Sequence, residues 1–136
     1  MTTLPLSAPL PRDRAVLAGW ALLALFGLFM LGASVLPKLA MPAMVAEGAL
    51  DFGWPDFPVV PIGLLELALT LLVLWPRTAP LGGLLMTALF GGTVATHLHA
   101  GSPLLTHTLF GVWLAILMWG GLLLRDPRLK AFLPWR

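Results

Sequence analysis

The stretch AVLAGWALLALFGLFMLGASVL, Ala15 to Leu36, runs for 22 residues without a charge, and it decides the solvent in which this chain folds. At a rise of ~1.5 Å per residue, a helix of that length reaches about 33 Å, enough to cross a hydrocarbon core of ~30 Å. Three further apolar runs follow, Pro58–Trp75, Ala79–Thr96 and Leu104–Leu124. The second and third runs are close to the lower limit for a span, so they stand almost upright or thin the bilayer locally. Composition agrees, since 59% of residues are hydrophobic, 10% are charged and the mean hydropathy is +0.94, well outside soluble usage. The expectation is an all-α fold: a four-transmembrane-helix bundle, a single membrane domain over residues 1–136, with helices at about 15–36, 58–75, 79–96 and 104–124 and a long capping loop between the first two.

The first run follows Arg12 and Arg14 and so imitates a secretory signal, but it exceeds an h-region of about 7–15 residues and no convincing small-x-small cleavage site precedes the polar loop. It reads as a retained helix. Four alternating spans place Arg12, Arg14, Arg77, Arg125, Arg128, Lys130 and Arg136 on one side and Lys38 alone on the other. Cytoplasmic loops keep Lys and Arg, so this asymmetry puts both termini inside. The same scatter explains the formal charge of +2 without nucleic acid. Trp20, Trp75, Trp119 and Trp135 fall near the inner ends, where indole rings anchor in the headgroup layer. The chain has no cysteine, which excludes disulfides, thiol nucleophiles, thiolate-held clusters and covalent c-type haem.

Between the first two runs, Pro37–Phe57 carries Lys38, Glu47, Asp51 and Asp56 together with Pro37, Pro42, Pro55, Gly48 and Gly53. These breakers rule out one continuous helix, leaving at most a helical turn at Ala43–Glu47. Met41, Met44, Phe52, Trp54 and Phe57 suggest a cap folded on the bundle mouth. In the third run Gly83, Thr87, Gly91 and Ala95 recur every four residues, with Gly92 and Thr96 beside them. That stripe predicts close helix packing or, as the alternative, a groove for a flat ligand. Internal repeats are absent from the sequence.

Glu66 carries the chemistry. It lies eight residues after Pro58, roughly 12 Å into the second helix, where an unpartnered carboxylate costs about 2.5–3.5 kcal/mol. It serves either as an interhelical pin or as a functional acid, with Lys38 the first counter-ion and His97 the second. His97, His99 and His107 cluster at the outer junction of the last two helices. Their spacing is no established metal signature, and His97 and His99 point to different faces of a helix, so no metal site is assigned. Hydrogen bonding to a quinone or similar carbonyl compound needs only one or two donors, which Lys38, Glu66, His97 and His107 can supply.

These residues also carry a resemblance. Gly32–Leu39 (GASVLPKL), Gly53–Pro58 (GWPDFP), Ile62–Leu98 (IGLLELALTLLVLWPRTAPLGGLLMTALFGGTVATHL) and Trp119–Leu133 (WGGLLLRDPRLKAFL) resemble the DoxX-like family of small four-helix integral membrane proteins. The matching motifs are Lys38 after the first helix, Gly63 and Glu66 in the second, the Pro76–Arg77 turn and the run from Gly91 to Leu98. The family's common Arg after the His-Leu pair is His99 here. The resemblance implies a multi-pass protein of the bacterial inner membrane in a redox neighbourhood. The function expected is a binding or accessory subunit for a quinone-like molecule, alongside a membrane oxidoreductase or as a homo-oligomer. The alternatives are an oligomeric proton-coupled transporter using Glu66 and His97, or a purely structural membrane subunit. No nucleophile–base motif or cofactor fingerprint marks an autonomous enzyme.

Overall fold

A computed structural model describes residues 12–132, and Trp135 and Arg136, expected at the inner face, lie outside the described residues. The described residues form helices joined by turns: α1 (Arg12–Phe29), a π segment (Met30–Val35), α2 (Leu36–Ala40), α3 (Pro42–Leu50), α4 (Val59–Leu74), α5 (Ala79–His99), a second π segment (Leu104–Thr108), α6 (Phe110–Arg125) and a closing 3₁₀ turn (Pro127–Phe132). Three continuous stretches are long and apolar enough to cross a membrane, namely Arg12–Ala40, Ala79–His99 and Leu104–Arg125, whereas Val59–Leu74 is apolar but shorter.

The bundle is built around close backbone contacts. A Cβ on Gly19 of α1 would lie 2.5 Å from the Arg125 backbone N of α6, and one on Gly121 would lie 2.8 Å from Leu23. Small residues are what permit such contact where lipid supplies no hydrophobic drive between helices. After the turn at Pro76–Thr78, where Thr78 Oγ1 donates to Leu72 O at 2.9 Å, Gly82 repeats the device. Its Cβ would meet the Val73 backbone N at 2.6 Å. The core between these contacts contains Leu23, Phe26, Met30, Val73, Met86, Phe90, Met118 and Leu122, with Phe26 edge-on to Phe90 at 6.4 Å. Leu17, Leu28, Leu84 and Leu105 are largely exposed, as expected of helices that face lipid on one side and one another on the other.

The small-residue stripe of α5 packs only in its first half. Gly83 abuts Leu122 and Trp119, and Thr87 Oγ1 accepts from Trp119 Nε1 at 2.9 Å. Trp119 thus ties α5 to α6 in addition to any role as an anchor. Gly91 and Gly92 have no neighbour within 4 Å of a built Cβ, and Ala95 is exposed. At that level α6 supplies the glycine instead, because Gly111 faces Phe90, and the α5 stripe turns outward.

The long connection is more helical than its prolines suggest. Pro42 opens α3 in its first turn, where a missing N–H costs nothing, so a nine-residue helix forms where a single turn was expected. Met41, at φ −134° and ψ 55°, is the actual break. Phe52 and Phe57 turn inward and are half-buried, whereas Met41, Met44 and Trp54 are exposed, so only part of the segment caps the bundle.

Candidate functional site

At the Glu66 end of the bundle, the first helix reaches the second through its π segment. Leu36 N–H bonds back to Leu31 O, five residues earlier. This wider turn lies just before Pro37, whose ring and missing N–H are incompatible with regular α pairing. Helicity then continues through α2 to Ala40, which carries Lys38 over α4.

Gly63 admits it. A Cβ there would lie 2.8 Å from Lys38 Cβ and 3.1 Å from Leu39 Cδ2. Glu66, three residues on and therefore on the same face of α4, meets the ammonium. Lys38 Nζ lies 3.0 Å from Glu66 Oε2, with only 16% and 11% of the two side chains exposed. Ser34, from the π segment, donates Oγ–H to Glu66 Oε2 at 2.8 Å. Lys38 Nζ also donates to Ser34 Oγ at 2.9 Å and to Ser34 O at 3.1 Å. The three N–H donors of the ammonium thus have three acceptors. Thr70 Oγ1 bonds the Glu66 carbonyl at 2.7 Å, leaving the carboxylate to the other helix.

Glu66 Oε1 has no donor among the described residues. The carboxylate therefore has one oxygen clamped by Lys38 and Ser34 and one that no described residue holds.

The histidines make a second cluster. Gly101, at φ +67°, reverses the chain after α5, and Ser102 N–H caps His97 O at 3.0 Å. The same turn brings Ser102 Oγ to 3.0 Å from His97 Nδ1. Phe52 stands edge-on to the His97 ring at 4.9 Å, and the His107 ring lies 6.2 Å from it. His107 Nδ1 pairs with Thr106 Oγ1 at 2.8 Å, so each imidazole keeps Nε2 for another partner. His99 is exposed and joins neither cluster. Among the described residues no hydrogen bond or ion pair links Glu66 to His97, and no group of three His, Asp or Glu side chains is placed to hold a metal ion.

The structure thus realises the Lys38 counter-ion and leaves His97 with Ser102. Sequence reasoning missed Ser34, Ser102 and the role of Gly63. Ser34 had a signal, since it stands four residues before Lys38, and so did Ser102, which follows Gly101 at the end of a helix. The model of the DoxX-like family matches residues 16–121. No curated protein and no solved structure matches the chain.

Proposed function

Because the chain belongs to the DoxX-like family, we propose that it is a four-span protein of the bacterial inner membrane that holds a lipophilic, quinone-like carbonyl compound in its outward mouth, as a binding or accessory subunit of membrane redox metabolism. Val59–Leu74 is then the fourth crossing; at 16 residues it reaches about 24 Å, so the bilayer thins around it or its flanks dip inward. Both termini face the cytoplasm, because Arg12, Arg77, Arg125, Arg128 and Lys130 fall on the side opposite Lys38.

Glu66 carries this reading. α4 begins at Val59, which sets the carboxylate about 10 Å into the helix. An acid at that depth with one oxygen held by Lys38 and Ser34 and the other without a donor among the described residues is an acceptor awaiting a donor. A quinol hydroxyl is such a donor, and a quinone carbonyl accepts from an imidazole Nε2–H of His97 or His107. The Phe52 ring beside His97 gives the histidine cluster an apolar wall. Redox chemistry would come from the bound molecule and its oxidoreductase, while the chain's own residues bind and orient.

A second reading has its own support. Lys38 is fully satisfied within the protein, which is what a structural pin between the first and second helices requires. A proton relay from Glu66 to His97, which oligomeric transport would use, has no direct hydrogen bond to run through among the described residues.

Native extraction followed by quinone analysis separates these readings. Wild-type protein should retain quinone, and Glu66→Gln and His97→Ala at matched expression should lose it while staying folded. Wild type without quinone, and Glu66→Gln affecting stability alone, would leave only the pin.

A further inference from the structure

The opposite end of the bundle holds an open cleft of about 750 Å³, lined by Arg12, Trp20, Arg125, Asp126 and Arg128 among others. We infer that this cleft binds the phosphate of an anionic phospholipid headgroup. Arg125 anchors this cleft, at the end of the bundle away from Glu66. Its guanidinium stacks over the Trp20 ring at 4.6 Å from the centroid, and Nη1 reaches Leu74 O, the last residue of α4, at a long 3.4 Å. The side chain is therefore held by α1, α4 and α6 together. Among the described residues no carboxylate lies within ion-pair distance of it.

Asp126 is the cleft's one acid, and it is committed elsewhere. It takes Arg128 Nε at 3.0 Å and Nη2 at 3.1 Å. Three arginines against one aspartate leave the cleft with a net charge of about +2 in a small volume. Arg12 is exposed at the start of α1, at the rim. Guanidinium forks match phosphate oxygens in pairs, and a partly exposed tryptophan marks the headgroup level. A free phosphate would need only the charge. A lipid headgroup also uses the position at the ends of the apolar helices, where the exposed Trp75 directly precedes Pro76 of the cleft lining and offers apolar surface to its acyl chains.

Native mass spectrometry of the full chain in neutral detergent, titrated with phosphatidylglycerol, phosphatidylcholine or inorganic phosphate, tests this. Wild type should retain phosphatidylglycerol in clear preference to phosphatidylcholine, and millimolar phosphate should not displace it. Arg12→Gln and Arg125→Gln should each weaken retention by about fivefold, the effect of one cation at an anionic lipid surface. Lys130→Gln, which removes an exposed charge outside the cleft, should not. Arg12 is exposed at the start of α1, so its variant remains informative if Arg125→Gln proves unstable. Equal retention of the two lipids, full displacement by phosphate, or an equal loss in Lys130→Gln would overturn the assignment.

Discussion

The two ends of this bundle handle charge in opposite ways. At one end Lys38 and Glu66 face each other, almost fully covered, with Ser34 bridging them. At the other, Arg125 makes no ion pair among the described residues and rests between an indole face and a helix-end carbonyl. Depth accounts for the difference. A carboxylate well inside a helix has little water to turn to and must be paired, whereas a long cation at a helix end keeps its head at the interface and its stem among apolar groups. A charge whose every donor is matched, as in Lys38, is a fixture, and a half-covered unpaired one attracts ligand.

The largest test of this contrast is Lys38→Met, which strands the Glu66 carboxylate in an apolar site. It should lower the unfolding free energy in mixed micelles by about 3 kcal/mol. Lys38→Met/Glu66→Leu should recover to within about 1 kcal/mol of wild type, because a buried pair exchanged for apolar groups of similar size is close to neutral. A double variant as unstable as the single one would mean that the pair itself, and not its symmetry of charge, holds the helices.

Arg125→Met, assayed in the same lipid-free micelles, should cost only about 1 kcal/mol, the order of a partly exposed cation–π contact. A loss as large as that of Lys38→Met would erase the distinction between the ends.

The smallest effect concerns acid. The side-chain hydrogen bond from Arg128 holds the Asp126 carboxyl below the ordinary carboxylate range. A lowered folded-state value contributes stability above the unfolded value that disappears as pH falls through the folded one. Thermal scans should therefore show wild type losing slightly more than Asp126→Asn as pH drops below the carboxylate range, and the two coinciding at low pH. The pair is exposed, so the difference is small.

Much of this was readable from residues alone. The apolar runs gave the helices, and Lys38 was identifiable as Glu66's counter-ion because the sequence puts no other Lys or Arg on that side. Ser34 was not, because its direction depends on the π turn, which adds a residue to the helical cycle and rotates everything after it. Pro37 and Pro42 look alike as helix breakers, yet one follows the π turn inside a continuing helix and the other starts a new one. Gly63 gains meaning only when Lys38 is seen lying on it. The stripe on α5 misled in its second half because spacing shows that residues share a face and not what that face meets.

The quinone reading turns on Glu66 Oε1, which no described residue holds. The direct measurement is a titration with a short-chain benzoquinone and its quinol, comparing wild type with Lys38→Met/Glu66→Leu, the variant expected to preserve the fold. The account predicts saturable binding to wild type and its loss from the folded double variant. Equal binding by both would contradict it and reduce Glu66 to a structural pin.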